Sequence, residues 1–284
     1  MIWMIITEAE MGDGSQHVFH FNEEALGRDN IKLAVVDEND ELDFINQNDI
    51  VISRTFNRKL IEKIKYKGVK NTSENFLLYE LVKDKVILSD FLQAHGILAP
   101  KKYSIGEVKD GVKYFVKPRF GQDSLGITTD CICKSKADVI KQVDRIRAEL
   151  NQNSIIEDFI DGTEYTVACV NNGTIVQAYA IEMDCSKAGG IQTYASKDGY
   201  EEYCSAVHDV ELKKTAIDIF KLLGLKHHAR MDFRKDMKGV YYLIDINLLP
   251  GLGPLADYAK CLLLSGNISY VDALKSIVNS ASKD

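Results

Sequence analysis

Residues 229–251 read ARMDFRKDMKGVYYLIDINLLPG. Polar and apolar residues alternate with period two on either side of Lys238-Gly239, which is the pattern of a β-hairpin. Residues two apart on a strand share a face, so Arg230 goes with Asp232, and Asp245 with Asn247. A two-residue Lys238-Gly239 loop would pair Met237 with Val240. Counting outward, it sets Asp232 opposite Asp245 and Arg230 opposite Asn247. Opposed side chains have Cβ atoms about 4.5–5.5 Å apart, and like charges there are destabilising. Two carboxylates and an amide oxygen on one face are a poor way to stabilise a sheet. They suit Mg2+, a hard cation that takes oxygen ligands and shares them with phosphates. A solvated polar face on an antiparallel hairpin accounts for the same pattern, and both readings stand at this point.

At 284 residues the chain can bury a large core in two or three subdomains. A net charge of −7 argues against nucleic acid as a partner. The six cysteines include no C-x-x-C pair, so the expectation is a reduced, cytoplasmic protein. Cys131 and Cys133, two apart in a strand-like run, read as packing residues. The opening MIWMIIT is too short for a signal peptide. No stretch reaches membrane-spanning length, so no membrane partner is expected.

Up to residue 71, short apolar runs alternate with helical patterns. Ile31–Val36 and 49–53 (DIVIS) read as buried strands, and 57–67 as a helix ended by Gly68. That alternation suggests a small parallel-sheet domain. Ligands in such sheets sit beyond the carboxyl ends of strands, which singles out Arg54 for an anionic substrate, against a plain surface arginine in a turn. Residues 71–96 read as one amphipathic helix, with Asn71, Thr72 or Ser73 as cap, Gly96 as stop, and Asp84-Lys85 within it. KYFVK (113–117) is a strand before Pro118, and RFGQDSLG leads to a second expected strand over 127–133. Gly121-x-x-x-x-Gly126 is not a Walker A loop, since Ile127 and Thr128 stand where Lys-Ser/Thr belong. It fits a strand–loop–strand phosphate flap, with Lys117 as the charge and Ser124 as a donor, or an ordinary mobile hairpin. SIIEDFI (154–160) and EYTVACV (164–170) read as a strand pair around Asp161-Gly162. Asn172-Gly173 is a hairpin turn before 174–181, and 187–203 is a long loop of the kind that is more often functional than idle. A helix follows over 210–223. His227-His228 have no third ligand at a metal spacing and read as structural or exposed. Two short helices close the chain.

Taken in order, Asp84-Lys85, VKPRFGQDSLG, IIEDFIDGTEYTV, ARMDF and IDINLLPG resemble the ATP-grasp fold, and most closely its D-alanine–D-alanine ligase-like branch. The resemblance covers residues 73 to 284. The opening part, with DIVISR and Asn71, is closer in style to the ribosomal-protein-modifying and lysine-biosynthesis amino-acid ligases. It implies an α/β (α+β) architecture. A small N-terminal α/β domain (1–72) would precede an ATP-grasp domain (73–284), whose lid (about 98–157) and C-terminal subdomain (about 158–284) clamp ATP.

The resemblance also implies roles. Lys85 and Lys117 would hold ATP phosphates, with Ser124 and the 121–126 backbone closing over them. Glu157, Asp158 and Ile160 would form the hinge that meets adenine, and Glu164 would accept from the ribose hydroxyls. Asp232, Asp245 and Asn247 would bind two Mg2+ ions, with Mn2+ as an alternative, and Arg230 would face the reacting carboxyl carbon. Arg54 and Lys197 are the cations expected to hold substrate carboxylates. The activity implied is ADP-forming ligation of a small carboxylate to an amine through an acyl phosphate, in a monomer or a homodimer. A kinase-like enzyme that releases a phosphorylated product and an inactive nucleotide-binding regulator are the alternatives. The family usually has Glu where this chain has Asp245. No glycine-rich strand-to-helix turn occurs in 1–30, and no hydroxyl occurs in 252–256. Both points separate it from D-alanine–D-alanine ligase itself.

Overall fold

The chain opens on β1 (Ile2–Thr7), α1 (Ser15–Leu26), β2 (Ile31–Val36), β3 (Ile50–Ser53), α2 (Arg58–Tyr66) and β4 (Lys70–Asn71). In the computed structural model, which describes residues 1–12, 15–121, 124–186, 189–193 and 204–283, these strands form a parallel sheet of order β2-β1-β3-β4. Ile5, Val51, Leu60 and Ile64 are buried in its core. A parallel sheet is normally covered on both faces, which is why these strands read as continuous apolar runs.

The single helix expected over 71–96 is two helices, α3 (Phe76–Lys83) and α4 (Lys85–Ala94). Asp84 between them is extended, and its carboxylate accepts from the N–H groups of Val86 and Ile87. An aspartate that can cap a second helix competes with continuing the first. Asn75, rather than Asn71, Thr72 or Ser73, caps α3, because Asn71 is engaged in β4 and bridges to Ser282.

The middle of the chain gives β5 (Lys102–Tyr103), β6 (Tyr114–Pro118), β7 (Ile132–Cys133), α5 (Lys136–Leu150) and β8 (Ser154–Asp158), an antiparallel sheet of order β5-β8-β6-β7 with α5 packed on it. The strand expected over 127–133 shrinks to Ile132–Cys133. Residues Thr129–Cys131 instead form a 3-10 turn capped by Thr128. Cys131 and Cys133 are buried free thiols.

A five-stranded sheet follows. It is built from β9 (Gly162–Asn171), β10 (Val176–Met183), β11 (Cys204–Val207), β12 (His228–Asp236) and β13 (Tyr241–Asn247), in the order β11-β10-β9-β12-β13. α6 (Val210–Leu222) covers one face. α7 (Asp257–Lys260), a π turn over Cys261–Ser265 and α8 (Tyr270–Ser280) cover the other. SIIEDFI and EYTVACV do not pair with each other. β8 bonds to β5 and β6, β9 bonds to β10 and β12, and residues 159–161 cross between the two sheets. No single helix among the described residues is long and apolar enough to cross a membrane.

The hairpin of β12 and β13 sets Arg230 opposite Asn247 and Asp232 opposite Asp245. The turn is one residue longer than expected. Val240 pairs with Asp236 rather than Met237, and the Asp236 carboxylate accepts from the N–H groups of Lys238 and Val240. Gly239 takes φ +87°, the left-handed residue of a three-residue loop. A β-bulge between Asp232 and Phe233 on one strand and Leu243 and Asp245 on the other then restores the register, leaving Ile244 without a ladder partner.

His228 starts β12 fully buried, with no hydrogen-bond partner on either ring nitrogen, edge-on to Tyr258 at 5.8 Å. Burial, aided by the nearby Arg54 and His227 charges, pushes its pKa down to about 3. Folding therefore excludes a proton that the unfolded chain binds below its ordinary pKa of roughly 6.5. The stability this neutral ring contributes is complete above that pKa and is lost as pH falls from it toward about 3. His228→Phe is expected to flatten the pH dependence of Tm in that window. An unchanged slope in the variant would remove His228 as its source.

Candidate active site

β6, α4, β12 and β13 converge on one cavity, which with the open space at its mouth measures about 820 Å³. Phe115, Leu125, Phe159, Ile160 and Ile191 form its apolar wall, and Lys85, Lys117, Arg230, Asp232 and Asp245 line its polar end.

Because Asp84 interrupts the helix, Lys85 becomes the first residue of α4. Its Nζ reaches Asp245 Oδ1 at 3.0 Å and the Gly121 carbonyl at 2.7 Å. Asp84 is itself clamped by Arg119 through two bonds of 2.9 and 2.6 Å. Lys117, buried on β6, pairs with Glu157 of the neighbouring β8 at 2.6 Å. It also donates to the carbonyl of Ile244, the bulge residue, at 3.1 Å. The bulge thus has a use: it turns one backbone carbonyl of β13 toward β6.

Sequence reading expected Asp232 and Asp245 to repel in the metal-free protein. Each has a cation instead. Arg230 donates to Asp232 Oδ2 at 2.9 Å, Thr166 donates to Asp232 Oδ1 at 3.0 Å, and Lys85 holds Asp245. The two carboxyls are pushed apart in acidity. Burial, with the Asp245 charge adding to it, raises Asp232 against the pull of Arg230. Asp245 is lowered, because Lys85 and Lys117 outweigh its burial. Two opposed oxygens beside a three-cation field are a donor set that fits Mg2+ carrying a polyphosphate. Asn247 accepts from the Leu249 N–H at 2.9 Å and is not among the cavity-lining residues. Among the described residues no group of three His, Cys, Asp or Glu side chains forms a metal cluster.

Glu157, expected to face adenine, is instead held by Lys117 at the polar end, and burial raises its pKa. Asp158 accepts from the Tyr103 hydroxyl at 2.8 Å, and its N–H donates to the Lys101 carbonyl. The Ile160 carbonyl and the Glu164 carboxylate share one partner that sequence reading missed, Arg234. Its guanidinium donates to Ile160 O, Gly162 O, Gly190 O and Glu164 Oε2 at 2.8–3.0 Å and lies 5.0 Å from the Phe159 ring. Burial lifts Glu164 to about 7 despite this ion pair. Period two in β12 was the available signal, since 230, 232 and 234 share a face.

Ser124 lines the cavity at φ +60°. Gly126 closes the same turn, where a Cβ would meet Leu150 at 2.7 Å and Pro118 at 3.1 Å. Its carbonyl accepts from Arg145 at 2.7 Å. Arg54 follows β3 and donates to the Leu249 carbonyl at 3.0 Å, so it clips the parallel sheet to the loop after β13 and does not line the cavity. Lys197 and most of 187–203 lie outside the described residues.

Residues 91–279 match the family model described as D-ala D-ala ligase C-terminus. That stretch holds Lys117, Arg230, Asp232 and Asp245 but not Lys85 or Arg54. Over 226 residues the chain is 26% identical to a D-alanine–D-alanine ligase of Francisella philomiragia, covering 75% of this chain and 72% of that one. It is 31% identical over 224 residues to the enzyme of that name from Fervidobacterium nodosum, covering 75% and 66%. Such matches span from about six-tenths to seven-tenths of the relatives' own length. Among solved structures, D-alanine–D-alanine ligase from Bacillus anthracis complexed with ATP superposes with a TM-score of 0.71 at 18% identity, covering 98% and 96% of the two chains. VanG D-Ala:D-Ser ligase from Enterococcus faecalis gives 0.71 at 15%, covering 98% of each. The fold is therefore ATP-grasp.

Proposed function

Since residues 91–279 make this chain a member of the D-alanine–D-alanine ligase C-terminal family, we propose that it is an ADP-forming carboxylate–amine ligase that uses ATP and Mg2+ on small amino acids or related metabolites. The observation that carries the reading is the meeting of three cations and two carboxylates at the polar end of one apolar-walled cavity. A carboxylate is a poor electrophile, and taking the γ-phosphoryl group of ATP converts it to an acyl phosphate with a good leaving group. Catalysis of such a transfer is mostly positioning and neutralisation of charge. Lys85 and Lys117 supply the charge and come from two elements, Lys85 from α4 and Lys117 from β6. Asp232 and Asp245 would hold the metal, which adds Lewis-acid polarisation of the phosphoryl oxygens. An amine then attacks the acyl carbon, and Arg230 is the fixed cation for the resulting oxyanion. The flap around Ser124, carried by the residues 98–157 that we take as a lid, excludes water from the acyl phosphate. Residues 1–72 are taken as a separate domain that contributes to substrate choice.

The resting protein has its phosphate lysines on its own carboxylates. A polyphosphate with metal would exchange these partners, Lys85 and Lys117 being the residues to hold phosphate oxygens and Asp245 the one freed to hold the metal. The reading is tested by ADP release over a matrix of amino acids and amines, repeated with hydroxylamine. Hydroxamate formation together with amine-dependent ADP release is the expected result. A stable phosphorylated product without hydroxamate would replace ligation by a kinase reaction. No turnover with any pair would leave a nucleotide-binding regulator.

A further inference from the structure

Arg234 lines the cavity, yet the phosphate and metal chemistry leaves it without a task. It stands on β12 directly opposite Glu164 of β9 and is 5% exposed. Its hydrogen bonds end on acceptors from separate parts of the chain: Ile160 O in the segment that crosses between the sheets, Gly162 O and Glu164 Oε2 on β9, and Gly190 O just before Ile191. Glu164 also accepts from the Gln192 N–H. Gln192 Nε2 in turn donates to Asp257 Oδ2 at 3.1 Å, on α7, where Asp257 and Lys260 are both buried. Residues 190–192 are thus tied on both sides of Ile191. With the Phe159 ring 5.0 Å from the guanidinium, three residues of the apolar wall, Phe159, Ile160 and Ile191, owe their placing to one side chain.

Carbonyl oxygens and a carboxylate that converge on one buried point repel one another, and each left unbonded costs the desolvation of an acceptor. A cation with several donors holds them together. The planar fork of arginine serves acceptors on different sides, whereas an ammonium has fewer donors, all from one point. The polar end of the cavity is built without Arg234. Its ion pairs are Lys85 with Asp245, Lys117 with Glu157 and Arg230 with Asp232. β12 is paired with β9 from His228 to Asp236, so loss of the Arg234 side chain leaves the strand, and with it Arg230 and Asp232, in place.

We infer that Arg234 is a positioning residue for the nucleoside half of ATP: it holds the apolar wall against which base and sugar lie, and takes no part in holding the phosphates. The cavity then has two separately built ends, one for the nucleoside and one for polyphosphate and metal. With the wall already in place, binding bears less of the cost of ordering it. Arg234 therefore enters the affinity for the nucleotide and not the chemical step. The inference deepens the ligase reading and rests on it for ATP as the occupant, while the division into two ends is tested by binding alone.

The test is calorimetry of Mg-ATP and of Mg-tripolyphosphate, which presents phosphates without a nucleoside, on the whole chain and its variants. Arg234→Lys keeps the charge and loses the fork. Arg234→Met/Glu164→Gln removes both members of the buried pair, so that no orphan charge is left to unfold the protein, and Glu164→Gln alone is its reference. Arg234→Lys against wild type, and the double variant against Glu164→Gln, are each expected to bind ATP roughly tenfold to a hundredfold more weakly. Tripolyphosphate affinity should move less than about twofold. In turnover, the KM for ATP should rise by the same factor as the ATP affinity falls, with kcat at saturating ATP nearly kept. Equal losses for ATP and tripolyphosphate overturn the inference and make Arg234 a support of the whole cavity. ATP affinity that is insensitive to Arg234 in the folded variants, with ADP release intact, overturns the inference and leaves the ligase reading standing. Arg234-dependent ATP binding without ADP release on any acid–amine pair overturns the ligase reading and leaves the inference standing.

Discussion

Lys117→Met is expected to lower kcat/KM by about 10²–10³, the usual cost of one electrostatic contact to transition-state charge. It is also expected to destabilise the protein. Glu157 is 4% exposed and loses its ion-pair partner at 2.6 Å. Breaking a buried pair by removing one member typically costs 3–5 kcal/mol, or on the order of 10 °C in Tm for a chain of this size. The pH dependence gives the cause away. Burial already raises the Glu157 pKa in the presence of Lys117, and without the lysine it rises further. A carboxyl whose folded pKa lies above its unfolded one is stabilising below the unfolded value, and that stability is lost as pH rises through the folded value. The variant should therefore be most stable in acid and lose ground toward neutrality. Adding Glu157→Gln should recover most of the Tm and none of the activity. If the double variant turned over ATP like wild type, Lys117 would be a structural counter-ion and no phosphate ligand.

Arg230→Met is expected to lower kcat by about 10²–10³ as well, with the KM for ATP nearly kept, because its proposed partner forms only during acyl transfer. The structure adds a signature. Arg230 holds Asp232 at 2.9 Å, so its removal leaves a buried carboxylate whose pKa burial already raises. Mg2+ would supply the missing cation. Mg-ATP should then raise the Tm of Arg230→Met by more than it raises that of wild type, whereas ATP with EDTA should not. Equal Mg-ATP shifts in both proteins would show that Asp232 does not meet the metal.

The register at the business end of the hairpin, with Asp232 opposite Asp245, was legible because side-chain periodicity is local. The cations that hold those carboxylates were not. Lys85 and Asp245 are 160 residues apart, and Lys117 bonds a carbonyl 127 residues on. Such pairings depend on how sheets are stacked, which no local pattern states. The same limit explains the misread pair at 154–170, where two well-formed strands belong to different sheets. Gly162 carries a trace of the crossing, since a Cβ there would lie 1.9 Å from the Lys235 carbonyl. Strand propensity misled at 127–133, where Thr128 prefers to cap a turn. At Asp84 a cap won over helix continuation. Asp257 and Lys260, three apart on a helix, look from sequence like any surface pair, and only burial sets them apart.

The turn and the bulge of the β12–β13 hairpin each displace the pairing by one residue, in opposite senses. Strand β12 is also held by β9 over nine residue pairs, from His228 to Asp236. Any slip therefore falls on β13. Deleting one turn residue still leaves Asp236 opposite Val240, across a two-residue loop, and the bulge still brings Asp245 opposite Asp232. Deleting Ile244 closes the bulge with Leu243 opposite Phe233 and Asp245 opposite Asp232, but it removes the carbonyl that Lys117 grips. Drift in hairpin length is thus tolerated at the turn and opposed at 244, where the anchor of Lys117 and not the face of Asp245 is at stake.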